Sequence, residues 1–207
     1  FPALEAALDR AVHDIYLETY IFENDHTGRR IAEALRRAAM RGVITHLLID
    51  GFGSSSLPKT MIEGLKEAGV MVLKFRPQIS PWTLRRRRLR RLHRKLAVID
   101  QSLAFVGGIN IIDDLDMPGQ VAPRYDYAVR VEGPLVKKIY IASRRLWLRV
   151  VWSRRLPFDW RRDKKWQAPL PAAAGHMQAT FLVRDNFRHR RDIEKAYLQA
   201  IAQAQSE

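Results

Sequence analysis

A histidine and a lysine two residues apart carry the strongest chemical signal in this sequence. His93 and Lys95 form a His-x-Lys pair, and Asp100 follows to complete the pattern His-x-Lys-x-x-x-x-Asp. On a β-strand, side chains two residues apart point to the same face. A cation can bind phosphoryl oxygens there, and a neutral imidazole beside it can attack phosphorus. The spacing therefore predicts phosphoryl chemistry at His93 and Lys95. Asp100 lies five residues after Lys95 and hence on the opposite face, where we expect it to brace the structure.

The elements that must position this pair alternate between helix and strand. Apolar spacing predicts, in order, a helix at 4–12, a buried strand at 14–22, a helix at 27–42, a strand at 43–49, a helix at 59–68 and a strand at 70–75. This β-α-β-α-β order is typical of an α/β domain whose helices pack on a mainly parallel sheet. The chain begins at Phe1-Pro2 within the first helical pattern, which predicts that the natural protein starts earlier.

The motif itself falls in a second group of strands. Two short apolar runs, 96–99 and 103–106, are separated by Asp100-Gln101-Ser102, which predicts a hairpin. A further strand is predicted at 125–131, and a helix from Gly133-Pro134 to about Trp152. Together with the first group, these strands predict an α/β fold with a mixed β-sheet flanked by helices.

The remaining segments suggest how the chain is divided. Residues 1–152 form the predicted main domain, 153–179 an irregular connector, and 180–207 a strand near 180–183 followed by a helix from Asp192. Four residues of this last helix repeat the spacing of the first one, namely Ala200, Ile201, Ala204 and Glu207 against Ala7, Leu8, Ala11 and Asp14. Residues 180–207 are therefore predicted to be the start of a second repeat or a carboxy-terminal extension.

Charge and composition limit the classes of partner. The 207 residues include 36 Lys and Arg against 22 Asp and Glu, a formal net charge of +14, which favours nucleic acid, anionic membrane surfaces or phosphorylated substrates. The absence of cysteine excludes disulfides, thiolate zinc sites and cysteine nucleophiles. The histidines outside the motif have no metal-ligand spacing, so no metal is expected.

An arginine-rich segment at 77–92 immediately precedes the motif. It contains Trp82 and the run Arg85, Arg86, Arg87 and Arg88. Such a run is usually a solvated face or a nucleic-acid patch. With Trp82 and leucines interleaved, we interpret it as a membrane-surface element that meets anionic headgroups.

The motif resembles the signature of the phospholipase D superfamily. Further segments resemble bacterial cardiolipin synthases in order and spacing, and together they look like the amino-terminal half of such an enzyme: 17–22, 41–43, 50–54, 126–129, 132–134 and 184–186. The resemblance implies one half of a phospholipase D-type fold. It also implies phosphatidyl transfer from one phosphatidylglycerol to a hydroxyl of another, through a phosphohistidine and without a cofactor.

The resemblance assigns roles to individual residues. His93 would be the nucleophile or the general acid/base, Lys95 would bind phosphate, and Asn110 would help to hold phosphoryl oxygens. Asp126 matches the acidic residue that holds a motif histidine through its other ring nitrogen. Glu18 is a further candidate that would line the site.

The chain contains one such motif, whereas the implied mechanism needs two histidines. None of the other five histidines is followed by lysine two positions on: His13, His26, His46, His176 and His189. Either a second half completes the site or two chains share it across a twofold axis. Two alternatives remain: a homodimeric nuclease of the same superfamily acting on DNA, and a non-catalytic membrane-surface half-domain. The expected location is the cytoplasmic face of a bacterial inner membrane, bound peripherally to anionic phospholipid.

Overall fold

The computed structural model describes most of the chain in two compact units. The described residues are 1–76, 91–113, 125–157, 168–169, 172–173, 175–183 and 191–204. The units are Phe1–Ala174 and Gly175–Glu207. Trp82 and Arg85 to Arg88 lie outside the described residues, so their predicted contact with a membrane surface stays a prediction. The predicted boundaries near 152 and 179 also stay predictions.

A six-stranded mixed sheet forms the centre of the first unit. Its strands are β1 (Asp14–Thr19), β2 (Ile44–Asp50), β3 (Met71–Phe75), β4 (Leu96–Ile99), β5 (Leu103–Gly107) and β6 (Ala128–Glu132), in the spatial order β3-β2-β1-β4-β5-β6. β1, β2 and β3 pair in parallel, and β4, β5 and β6 pair antiparallel to their neighbours. The expected mixed sheet flanked by helices is confirmed. Its central pair, β1 and β4, joins the two predicted groups of strands.

Helices cover both faces of the sheet. They are α1 (Pro2–Arg10), α2 (His26–Met40), α3 (Lys59–Glu67) and α4 (Leu135–Ser153). α1, α2 and α3 bury a hydrophobic core on one face, which includes Leu8, Leu35 and Leu65. α4 covers the other face with buried residues such as Ile139 and Trp147. The amphipathic spacing of each helix therefore selects the side that faces the sheet.

α2 begins one residue before the helix predicted at 27–42, because the Asp25 side chain accepts a hydrogen bond from Gly28 N and caps the helix there. One local expectation from the sequence was wrong. Residues 177–183 form no strand and lie mostly exposed. A strand is stable only when its backbone pairs with a neighbour, and the sheet of the described chain includes none of these residues.

The second unit contains one helix among its described residues. It is α5 (Asp192–Gln203), close to the expected position, and it has no buried residue. Its apolar side chains Tyr197, Leu198 and Ile201 are exposed. Within the described parts of the chain, no helix combines the length and the apolar character needed to cross a membrane.

Candidate active site

His93 and Lys95 lie side by side in the extended segment just before β4. Lys95 Nζ is 3.3 Å from His93 Nε2, and His93 is exposed whereas Lys95 is partly buried. The strand begins only at Leu96, but the alternation of faces already holds, since Leu92 is buried while His93 is exposed. The extended backbone therefore brings the imidazole and the ammonium group together, as their spacing predicted.

An aromatic ring that the sequence analysis did not single out packs against this pair. The ring centroid of Tyr20 is 5.2 Å from that of His93, and Lys95 Nζ is 5.4 Å from the Tyr20 centroid. A cation at this distance from a ring face is attracted by the ring quadrupole. Tyr20 directly follows β1, the strand that pairs with β4. The available signal was its place inside the strand predicted at 14–22 and inside the segment 17–22 that resembles cardiolipin synthases.

The pKa of Lys95 reflects its half-buried position. Burial lowers this pKa below its ordinary value, and the negative charge of Asp126 acts in the opposite direction. Desolvation disfavours the ammonium form, and a nearby carboxylate favours it. A phosphate bound beside Lys95 would favour the ammonium form in the same way, so the site is suited to an anion.

The predicted site residues Asn110 and Asp126 lie between β5 and β6. Asn110 follows β5, and Asp126 precedes β6. Asn110 Oδ1 accepts a hydrogen bond from Ile21 N at 3.1 Å, so its Nδ2 group carries the hydrogens that the side chain can donate. The Asp126 carboxylate lies against Gly108, where a Cβ would be 2.0 Å from Asp126 Oδ1. A side chain at position 108 would therefore displace the Asp126 carboxylate from this place.

Glu18 lies on the opposite face of the sheet from the His93–Lys95 pair. Its side chain is 2 % exposed, and Arg94 Nη1 is 3.5 Å from Glu18 Oε2. Arg94 Nη1 also donates to Ala142 O of α4 at 3.4 Å. Burial raises the pKa of Glu18, whereas Arg94 and the Ser143 hydroxyl lower it by a smaller amount. Glu18 therefore contacts Arg94, the residue between His93 and Lys95, on the face of the sheet opposite to that pair.

We expect the free energy of unfolding of Glu18→Gln to increase, relative to that of the parent chain, as pH rises above about 4.5. A carboxyl with a raised folded pKa stabilises the fold below its unfolded pKa, and this contribution is lost as pH rises through the folded pKa. Glutamine does not titrate, so the unfolding free energy of parent minus variant should fall by up to about 1.4 kcal/mol per pH unit between the two pKa values.

Urea unfolding of parent and variant at several pH values between about 4 and 8 measures this difference. The control is Glu33→Gln, which removes a half-exposed carboxyl paired with Arg36. A pH-independent difference for Glu18→Gln, equal to that of the control, would contradict the expectation.

Asp100 lies at the far end of β4, away from the pair. Its Oδ1 accepts hydrogen bonds from His13 N at 2.7 Å and Asp14 N at 3.0 Å, and its Oδ2 accepts one from Val12 N at 2.9 Å. Its φ of 48° falls in the left-handed region, which turns the chain back into β5. The structure therefore places this motif aspartate on the backbone that leads into β1, and it does not join His93 and Lys95.

A cleft of about 290 Å³ opens next to Lys95 on the face covered by α1. Its lining is mainly apolar and includes Leu4, Leu17, Phe105 and Ile111, with Arg130 as a second cation. Phe105 and Leu4 pack against the core from its edge. The arrangement places an apolar channel beside a group that can bind phosphate. Within the described residues, no three histidine or acidic side chains meet in a way that could hold a metal ion.

The sequence matches a known family over more than half of the chain. Residues 4–116 match the family described as "Cardiolipin synthase, PLD-like domain". The chain belongs to this family. The match includes His93, Lys95, Asn110 and Glu18, while Asp126 lies beyond it.

Curated relatives extend the similarity along the whole chain. The chain is 39% identical to "Cardiolipin synthase B" of Salmonella typhi over 216 aligned positions, which cover 100% of this chain and 49% of that protein. It is 32% identical to "Cardiolipin synthase 1" of Bacillus anthracis, over 72% of this chain and 29% of that protein. The chain thus spans about half the length of the cardiolipin synthase B that it matches.

Solved structures share the fold at low sequence identity. One is the phospholipase D family member Nuc from Salmonella typhimurium, with a TM-score of 0.52, 19% identity, and coverage of 73% of this chain and 86% of that one. NucT from Helicobacter pylori gives a TM-score of 0.51 at 17% identity, and covers 73% of this chain and 87% of its own. These likenesses confirm a phospholipase D-type fold over 73% of the chain.

Proposed function

We propose that this chain is the amino-terminal half of a cardiolipin synthase that transfers a phosphatidyl group between two phosphatidylglycerol molecules. The observation that carries the proposal is the His93–Lys95 pair, because its Lys95 also lines an apolar cleft. A diacyl phosphodiester has an anionic phosphate joined to apolar chains. This site has a cation beside an apolar cleft. The identity of 39% to a cardiolipin synthase over the full chain supports the same substrate class.

In the proposed mechanism, two displacements at phosphorus share one phosphohistidine. A histidine nitrogen attacks the phosphorus of the first phosphatidylglycerol, the bond to the headgroup glycerol breaks, and a second histidine protonates the leaving oxygen. That second histidine then takes a proton from a hydroxyl of another phosphatidylglycerol, whose oxygen attacks phosphorus and releases the first histidine. Cardiolipin and glycerol are the products. His93 fills one of these two roles.

The other proposed roles are those that the family resemblance implies. Lys95 binds the phosphoryl oxygens, and Asn110 adds an amide donor from the connection after β5. Asp126 holds a motif histidine in the required tautomer. Glu18 is among the residues that line the cleft, and its buried carboxylate supports the segment through Arg94. The second histidine comes from a second half of the protein or from a homodimer mate, and the chain's coverage of 49% of a relative's length favours the second half.

The protein is proposed to act peripherally on the cytoplasmic face of a bacterial inner membrane. Its formal net charge of +14 supports contact with anionic phospholipid. DNA is also a polyanion, so charge alone does not favour lipid over nucleic acid. The preference for lipid depends on the full-length similarity to cardiolipin synthases, because the likeness to Nuc concerns the fold.

We expect the natural-length protein to form cardiolipin when it is incubated with phosphatidylglycerol vesicles, as measured by mass spectrometry of the lipids. Release of one glycerol per cardiolipin is the second readout, because the proposed exchange conserves phosphate. Formation of phosphatidic acid without cardiolipin would overturn the acceptor, since water would then have attacked the intermediate. No lipid product, together with salt-sensitive cleavage of plasmid DNA, would replace the proposal with the nuclease alternative.

A further inference from the structure

The loop that follows β2 contacts two groups beside the His93–Lys95 pair, namely the backbone before His93 and the residue Tyr20. This loop, Asp50–Ser54, begins at the last residue of β2. The Asp50 carboxylate is completely buried, and its Oδ1 accepts hydrogen bonds from Phe52 N at 2.9 Å and Gly53 N at 3.1 Å. These two bonds shape the loop itself, as an aspartate commonly does at a turn.

The other carboxylate oxygen of Asp50 contacts the backbone that precedes His93. Asp50 Oδ2 accepts a hydrogen bond from Leu92 N at 2.7 Å, across 42 residues of sequence. Leu92 is 3 % exposed and directly precedes His93. The guanidinium of Arg91 also lies 4.8 Å from the ring centroid of Phe52 in the same loop. The backbone that enters the motif is therefore fixed by two contacts with the loop.

The same loop supports the ring beside the pair. A Cβ at Gly53 would lie 2.4 Å from Tyr20 O and 2.8 Å from the Tyr20 ring, so only glycine allows Tyr20 to pack where it does. Ser54 Oγ donates to Tyr20 O at 3.0 Å and accepts from Phe22 N at 3.0 Å. The position of the Tyr20 ring against His93 and Lys95 therefore depends on this loop.

We propose that Asp50 and Gly53 are positioning residues for the reaction: Asp50 fixes the backbone before His93, and Gly53 sets the Tyr20 ring against His93 and Lys95. Neither residue touches the substrate. Small displacements of a catalytic group can cost about a hundredfold in rate, so a loop that sets its position on two sides affects turnover directly. The effect on rate depends on the proposed function, whereas the effect on geometry does not.

The test on geometry uses NMR of the histidine side chains in the 207-residue chain. Gly53→Ala should move the His93 Cε1–H resonance, because displacing the Tyr20 ring changes the ring-current field at a centroid separation of 5.2 Å. The exposed His176 provides an internal reference in the same spectrum. The matched control is Gly64→Ala in α3, where the new Cβ would meet nothing within 4 Å. Unchanged His93 resonances in folded Gly53→Ala would overturn the proposal.

Asp50→Asn tests the second contact separately. The amide nitrogen of asparagine cannot accept a hydrogen bond from Leu92 N, so the His93 resonance should change while the His176 resonance does not. If Asp50→Asn does not fold, Gly53→Ala still decides the proposal. In the natural-length protein, Gly53→Ala should lower kcat at least about tenfold with KM within about twofold, because positioning acts on the reacting geometry. Loss of stability alone would leave the kcat of the folded protein unchanged.

These readouts separate the two proposals. If the parent protein makes no lipid product, the proposed function fails, and the resonances still report on the loop. If the parent is active and Gly53→Ala has unchanged resonances and an unchanged kcat, the positioning role fails alone.

Discussion

His93→Ala is expected to lower cardiolipin formation by the natural-length protein at least about a thousandfold while the protein stays folded. The imidazole is exposed, so its removal costs little packing. Whether it attacks phosphorus or moves the proton, the adjacent Lys95 would not replace it, because its proposed role is to bind the phosphoryl oxygens. Initial rates with phosphatidylglycerol vesicles measure the effect.

The control for this variant is His176→Ala, which removes another exposed histidine from the second unit and should leave the rate unchanged. A parallel experiment uses phosphatidylglycerol that carries a label in its phosphate. It decides whether His93 is the nucleophile or the general acid/base. Covalent label that disappears in His93→Ala identifies the nucleophile, and label that persists without turnover identifies the general acid/base. Turnover within about tenfold of the parent would remove His93 from the mechanism.

Asp100→Ala is expected to destabilise the fold by about 3 kcal/mol. Its carboxylate accepts three backbone hydrogen bonds from residues 12–14, and the alanine would leave these amides at the entrance of β1 without their acceptor. Part of the loss will be recovered because Val12 and His13 are exposed to water. Alanine also tolerates the φ of 48° less well than aspartate does. Urea unfolding of the chain measures the change.

Asp100→Asn separates the structural from the catalytic interpretation of this motif residue. Asparagine keeps one acceptor oxygen and tolerates the left-handed conformation, so about half of the stability loss is expected. Below the unfolding transition, its kcat should equal that of the parent protein. A large fall in kcat with unchanged stability would show that Asp100 acts in the reaction, against its position at the far end of β4.

The periodicity of the sequence was enough to establish the elements of the first unit. A helix buries one stripe and a strand alternates its faces, so residues such as Leu8, Leu35 and Val98 report their surroundings through spacing alone. The hairpin at Asp100 could be predicted for the same local reason. The strand expected at 180–183 failed because apolar character favours a strand only where another strand is available to pair with it.

The His93–Lys95 pair was also determined by the sequence, because two residues on one extended segment share a face whatever surrounds them. Its supports were decided only by the tertiary structure. These supports come from the ends of β1 and β2, namely Tyr20, Asp50 and Gly53. They lie near the segment before β4 because β1 pairs with β2 on one side and with β4 on the other. Contacts between residues far apart in sequence depend on the strand order, which is set by the packing of the whole sheet. The local spacing of residues therefore does not predict these contacts.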